Sequence, residues 1–420
     1  MLTANIKAEV ATPLNMTWEQ MNTLLHGMRR STWHALNATV TDMAIIERQG
    51  KPPRPLRTMA YHSVGDELAK RGEAMTGAMK SCVSSFAHAS YVRYTKELRK
   101  GMSRSLPSFK PTCPVLVRGD SWKPVPDDAG YAIDVTLTAN QEPLRVALVV
   151  CGGSAHANMR RMLSGDGIKR GDMKLKWDER KRKWLAIMSY SFPEPEKRTG
   201  GCIAVHRGMT AMLYAAAEDG FARPIVDGGD VLALKAQMLA RKRSIGLHRP
   251  ELGDGAKGHG RKRRFAAIEA LQGKEARFTT TKCQQAAAAT VKLAIERGAG
   301  TVLVEDFGGI DDDTAPWMVK RWPWAKLKEC IVWACKKAGL ETVEVGAAYN
   351  TKTCPKCGAT DSDVVVKGGH FQCVACGLHH RTDAIACWNM LRKHGAETGV
   401  DAAQTEHQAK MKRVRKPKEA

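Results

Sequence analysis

Four cysteines in this chain have the type and spacing to hold a metal. Cys354-Pro-Lys-Cys357 and Cys373-Val-Ala-Cys376 are two CxxC pairs with fifteen residues between them. Gly358 and Gly377 follow the pairs, and glycine there permits the tight turn that aims two thiolates at one ion. Four thiolates suit tetrahedral Zn²⁺ in a structural ribbon. Just beyond stands Arg381-Thr-Asp383, and Asp383 opens a helix-like run, Ala384-Ile-Ala-Cys-Trp-Asn-Met-Leu391. A zinc loop set immediately before a carboxylate-bearing helix suggests a nuclease core.

A second acid fits that suggestion. Thr301-Val-Leu-Val-Glu305 reads as a buried parallel strand, and an acid at the end of such a strand is costly unless it has a partner. Nucleases of the RNase H-like type hold two Mg²⁺ between carboxylates, and the metals activate water and stabilise the leaving oxygen. Mg²⁺ selects hard oxygen ligands. Such a core needs an acid on its first strand, one ending its fourth strand and one on its last helix. Glu305 and Asp383 are the candidates for the second and third.

The first position departs from expectation. The pattern should read apolar-x-apolar-acid-x-Gly, and the chain gives Ile203-Ala-Val-His206-Arg-Gly208. Histidine offers nitrogen rather than a fixed negative charge. Losing one charge from a site for two divalent cations weakens it by several kcal/mol. Pro224-Ile-Val-Asp227-Gly-Gly229 resembles the same pattern, so Asp227 is an alternative first acid. It leaves only one short strand before the long helices, which favours His206 for the position.

Patterning orders the strands and helices around these residues. Residues 1–14 contain one weakly alternating strand. Residues 15–106 read as mostly helical, with Thr17 a candidate cap for the first helix. Strand-like segments at 131–138, 144–150, 173–177 and 183–190 fall within 107–199, the last two flanking a charged turn. They describe a small β-barrel or sheet to which the first strand can belong, with the helices as an insertion. Residues 200–347 hold three apolar strands, long helices over 233–298, a strand at 301–305, an amphipathic helix at 324–337 and a strand at 341–345. That order is the order of an RNase H-like fold. The ribbon spans 348–380, the last helix lies in 381–402, and 403–420 reads as a disordered basic tail. The fold class is therefore α+β multidomain, a β-barrel with a helical insertion followed by an α/β domain with an inserted zinc ribbon.

Charge points to the partner. The chain carries 66 Lys+Arg against 43 Asp+Glu, a formal net charge of +23. That excess suits a polyanion, nucleic acid first. No apolar run reaches membrane-spanning length, and the N-terminus lacks signal-peptide form. The eight cysteines outside the ribbon show no pairing spacing, so reduced thiols and a cytoplasmic location are expected. Arg261, Lys262, Arg263 and Arg264 close a Gly- and Lys/Arg-rich stretch that starts at Gly253. They are candidate phosphate contacts, or else a charged loop. Trp322, with Trp317 and Trp324 beside it, could stack on bases or pack in a core.

In combination these motifs resemble those of TnpB-like transposon nucleases and the compact type V CRISPR effectors. The likeness is best over residues 200–392. Val302-Leu-Val-Glu305-Asp-Phe resembles the second RuvC motif. Ala348-Tyr-Asn-Thr-Lys-Thr-Cys354-Pro-Lys-Cys357-Gly and His370-Phe-Gln-Cys373-Val-Ala-Cys376-Gly resemble the two halves of the target-nucleic-acid-binding ribbon. Asp383-Ala-Ile-Ala-Cys-Trp-Asn389-Met resembles the third RuvC motif. The resemblance implies a wedge barrel, a helical recognition lobe, a guide RNA, and a target double-stranded DNA read through guide pairing and a short flanking motif. With His206 in the first RuvC position, it implies an effector that binds and silences DNA with little or no cutting. The alternatives are an active Mg²⁺-dependent nuclease and, from another class, a guide-independent zinc-ribbon DNA-binding protein.

Overall fold

The computed structural model describes residues 1–50, 55–127, 130–138, 142–165, 167–179, 181–248, 261–307 and 317–395. The basic segment 253–260 and the tail 403–420 lie outside them. The chain forms two compact units, Met1–Pro193 and Glu194–Ala420.

In the first unit, β1 (Leu2–Pro13) alternates buried and exposed positions along its length, the signature of a strand with one face on a core. Three helices follow: α1 (Trp18–Arg48), α2 (Leu56–Lys70) and α3 (Gly77–Arg99). Thr17 caps α1 in a reciprocal capping box with Gln20. The chain then returns through β2 (Val115–Val117), β3 (Trp122–Asp127), β4 (Gly130–Val135), β5 (Leu144–Val150), the short helix α4 (Gly153–Ser164), β6 (Lys169–Asp178) and β7 (Lys183–Phe192). Their order in the sheet is β2-β6-β7-β1-β5-β4-β3. The first strand therefore sits at the centre of the sheet, between β7 and β5, and the three helices are an insertion in a barrel. The two edge strands β2 and β3 are separated in the chain only by Arg118 and the turn Gly119–Ser121. Trp122 Nε1 donates to the Gly171 carbonyl on β6 at 3.0 Å, so the sheet nearly closes on itself. β2, β3 and α4 are absent from the sequence reading: the first is only three residues long, and two prolines interrupt the second.

Trp184 anchors this barrel to α1. It is fully buried, packs 4.9 Å from the ring of His26 and 5.3 Å from Trp177, and donates from Nε1 to Asn22 Oδ1 at 3.0 Å. Trp184→Ala is expected to cost about 3–5 kcal/mol, by cavity and lost hydrogen bond together. The urea midpoint measures it, and a change under about 1 kcal/mol would contradict this packing account.

The second unit is built on a five-stranded sheet. It comprises β8 (Gly201–His206), β9 (Ala211–Ala217), β10 (Ala222–Asp227), β11 (Ala299–Asp306) and β12 (Glu341–Gly346), in the order β10-β9-β8-β11-β12. The first three strands pair antiparallel, and β11 lies parallel to both β8 and β12. This is an RNase H-like sheet. Helices α5 (Gly229–His248), α6 (Arg261–Glu296), α7 (Trp317–Lys320) and α8 (Trp324–Lys337) connect its strands, and α9 (Thr382–Lys393) ends the described chain. One face of the sheet packs Ile203, Val205, Val302 and Val304 with Cys283, Ala286, Leu327 and Ile331 of α6 and α8. The other face packs Ala204, Tyr214 and Leu303 with Ile385, Trp388 and Leu391 of α9. No helix among the described residues is long and apolar enough to cross a membrane.

Candidate nuclease-type site and cysteine cluster

Strand parity places the site. On β8 the side chains of Ile203 and Val205 face α6 and α8, and Ala204 faces α9. With a period of two, His206 falls on the α9 side. On β11, Leu303 faces α9, so Glu305 does too. The parallel register pairs Val304 with Val205, which sets Glu305 beside His206. Asp383, in the first turn of α9, completes the cluster from above. Gly208 is required nearby, because a Cβ there would lie 2.6 Å from the Ala211 carbonyl oxygen and 3.8 Å from Asp383 Oδ1.

His206 meets both carboxylates. His206 Nδ1 donates to Glu305 Oε2 at 2.7 Å, and its Nε2 stands 3.6 Å from Asp383 Oδ1. Burial opposes charge on His206, but the hydrogen bond and charge of Glu305, with Asp383 adding to them, raise its pKa above the ordinary value. Burial likewise opposes ionisation of Glu305, and the contacts with His206 and Asn350, with the charge of Arg207, together outweigh it, so that carboxyl is held below its ordinary value. Both shifts favour a charged pair. Glu305 is 1% exposed, and its other oxygen accepts from Asn350 Nδ2 at 3.2 Å. Asp383 Oδ2 accepts from Arg381 at 3.1 Å.

A further cation stands beside the cluster. Arg207 is 2% exposed, donates to the carbonyls of Glu305 and Trp324, and lies 4.5 Å from the centre of the Phe307 ring. The imidazole thus occupies the space between two carboxylates in which a bridging cation would have to sit. Mg²⁺ needs near-octahedral oxygen ligation. These residues, with both carboxylates engaged by nitrogen donors, do not fit a pair of such ions.

Sequence reasoning missed Asn350 and Lys393. Asn350 is 1% exposed and joins the cysteine loop to the acids: Nδ2 reaches Glu305, and Oδ1 accepts from Lys393 Nζ at 2.6 Å. Asn389 Nδ2 donates to the carbonyls of Asn350 and Thr353, at 2.8 and 2.7 Å. The signal available was position alone, since Asn350 lies in the run that leads into Cys354. Asn350→Ala is expected to cost about 2 kcal/mol, because it strips partners from a buried carboxylate and an ammonium. A chemical denaturation midpoint unchanged from wild type would refute that role.

Other candidates lie elsewhere. Asp227 ends the edge strand β10, two strands from β8, and accepts the Gly229 amide of its own turn at 3.0 Å. It does not restore the missing acid to this cluster. Trp322 is not an exposed nucleic-acid contact: it is 3% exposed and packs in the core with α6 and α8. Its ring was ambiguous in sequence because the same run of tryptophans suits stacking and packing. Arg261, Lys262, Arg263 and Arg264 form the first turn of α6, and their side chains lie outside the described residues.

Cys354, Cys357, Cys373 and Cys376 converge, with all four Sγ atoms within 4.8 Å of one another. The pairs Cys354–Cys376 and Cys357–Cys373 are each 3.5 Å apart. A tetrahedron of thiolates about 2.3 Å from zinc has edges of roughly 3.8 Å, so the cluster is compatible with a structural zinc ribbon. The two knuckles mirror each other. Gly358 and Gly377 take φ of +80° and +71°, and their amides bond the carbonyls of Cys354 and Cys373 at 2.9 and 3.0 Å. Three short strands, β13 (Val364–Lys367), β14 (His370–Cys373) and β15 (His379–Arg381), complete the ribbon. β15 runs directly into α9, which is how the cysteine loop fixes the start of the helix that bears Asp383.

Comparison with known proteins agrees with this architecture. Residues 324–390 match the family model "Cas12f1-like, TNB domain". The CRISPR-associated endodeoxyribonuclease Cas12f1 of Syntrophomonas palmitatica is 31% identical over 304 residues, which cover 67% of this chain and 60% of that protein. The chain thus spans less than two thirds of that relative's length. The Cas12f1 of Sulfoacidibacillus thermotolerans is 25% identical over 407 residues, covering 91% of this chain and 95% of that protein. In fold, the chain is similar to the protein in a cryo-EM structure of a Cas12f1-sgRNA-target DNA complex. The TM-score is 0.72 at 17% identity, over 93% of this chain and 98% of that one. With the nearly closed barrel, the RNase H-like sheet and the four-cysteine loop, these matches support one lineage: the chain is similar to the TnpB-like, compact type V CRISPR effectors.

Proposed function

We propose that this chain is an RNA-guided DNA-binding effector that holds its target with little or no cutting. The observation that carries the reading is His206, hydrogen-bonded to Glu305 and facing Asp383 where a third carboxylate would be needed. Guide RNA and target DNA are the partners, as in the complexes of its relatives. The net charge of +23 supports a polyanionic ligand, and binding should weaken steeply with salt through counterion release. In this reading the barrel acts as the wedge and residues 15–106 as the recognition lobe. The guide reads sequence, the protein reads a short flanking motif, and the ribbon at 348–380 holds zinc and touches the target strand. Occupancy of the DNA in the cytoplasm blocks transcription or replication.

A second reading is an active Mg²⁺-dependent RNA-guided nuclease. It is favoured by the retention of Glu305 and Asp383 on one face and by the endodeoxyribonuclease names of the relatives. The test is to sequence the RNA that co-purifies with the protein and measure binding to DNA that matches it. Our reading expects a defined guide, with target binding that depends on it. Tight binding to one fixed DNA sequence by RNA-free protein would instead support a guide-independent zinc-ribbon DNA-binding protein and end the RNA-guided account.

A further inference from the structure

Tyr349 stands where a tyrosine is least at home. Its side chain is 64% exposed, and its φ of +61° puts a bulky residue in the left-handed region that glycine or asparagine occupies with less strain. Such a conformation persists only where the surroundings over-determine it, and here they do. Lys393 Nζ donates to the carbonyls of Gly346 and Ala348, at 3.1 and 2.6 Å, and to Asn350 Oδ1. Asn389 holds the carbonyls of Asn350 and Thr353. The amides of Lys352 and Thr353 both close on the Tyr349 carbonyl at 3.1 Å. The backbone on each side of the tyrosine is thereby tied to α9 while the ring stays in solvent.

Its neighbours point to a ligand. The next residue, Asn350, touches Glu305, so Tyr349 stands one residue in the chain from a contact with that acid. The run Tyr349–Gly358 carries Lys352 and Lys356 and no acid. A turn alone would be better served by asparagine. A rigidly mounted, exposed aromatic with two lysines in the same loop suits a nucleotide, the ring taking the base face and a lysine the phosphate.

We propose that Tyr349 is a stacking platform for an unpaired base of the target DNA strand, beside the His206–Glu305–Asp383 cluster. DNA is favoured over RNA because the curated proteins this chain is similar to are named endodeoxyribonucleases. The proposal rests on the nucleic-acid reading above.

The test uses the full chain with its co-purified RNA and a matching single-stranded DNA carrying 2-aminopurine at successive positions. Wild type is expected to quench the fluorescence at one position, and Tyr349→Phe to do the same. Tyr349→Asn, which tolerates the left-handed backbone, is expected to lose the quench and bind about tenfold more weakly, with thermal stability at or above wild type. Tyr349→Gly must show the same loss. If both ring-less variants quench and bind as wild type does, this proposal fails and the functional reading stands. A quench seen only with 2-aminopurine in the RNA overturns the assignment to DNA. Wild type that binds no nucleic acid overturns the functional reading, and this proposal with it.

Discussion

His206→Asp is expected, on the binding-without-cutting reading proposed above, to raise metal-dependent, guide-directed DNA cleavage well above the wild-type level. The substitution removes the imidazole that bridges Glu305 and Asp383 and adds a carboxylate at the end of β8. An imidazole that hydrogen-bonds one carboxylate and faces the other is exchanged for a carboxylate that attracts divalent cations. A unit charge pair about 4 Å apart is worth about 4 kcal/mol at an effective dielectric near 20. The change in metal affinity is therefore large even after desolvation of the new carboxylate. Parity already aims the position at α9, so no backbone change is required. A gain in cleavage on the order of 10²-fold corresponds to about 2.7 kcal/mol of transition-state stabilisation. It is measured on plasmid DNA over a Mg²⁺ titration. Arg207 stays in place in this variant, so a failure to gain cleavage while Mg²⁺ still binds would implicate that second buried cation. A variant that gains neither metal nor cleavage would remove His206 as the cause.

Cys373→Ser is expected to have the largest effect on stability. Cys373 is buried and lies 3.5 Å from Cys357, and Cys354 at the ribbon's root packs with Phe371, Leu378 and Trp388. Structural zinc binding is worth about 10–16 kcal/mol in small zinc modules, and that free energy is folding free energy. Removing one thiolate should lower the zinc content from about one ion per chain to none after mild chelation. It should also unravel the loop that precedes α9. Asn350 and the first turn of α9 then lose their fixed geometry, and DNA binding falls with them. The barrel unit, Met1–Pro193, is compact by itself and should keep its unfolding transition. Metal analysis and calorimetry read these effects together. Full zinc retention with unchanged DNA binding would show that the cysteine loop is neither a zinc site nor a support for α9.

How much was legible in the sequence follows from how local each signal is. The ribbon was legible because each half of its chemistry is a CxxC pair written in adjacent sequence, and the glycines that end the knuckles adopt the positive φ their positions demand. His206 and Glu305 are 99 residues apart in the chain, yet their meeting could be anticipated, because strand order and period two carry each side chain to a known face. The direct hydrogen bond between them could not. It depends on the register of β11 against β8, and register has no local sequence code. Asn350 stayed hidden for a similar reason: an asparagine before a cysteine loop reads as a turn residue until Glu305 and Lys393 are seen on either side of it. Trp322 illustrates the reverse failure, since an aromatic-rich run specifies burial or stacking equally well, and only the packing of α6 and α8 decides.

A cleavage assay separates binding from cutting. Guide-loaded wild-type protein is mixed with matching plasmid DNA at millimolar Mg²⁺, with occupancy of the target read in parallel by footprinting. The account predicts a protected target that remains uncut. Efficient guide-directed cutting by the wild type, lost in Glu305→Ala and Asp383→Ala, would contradict it.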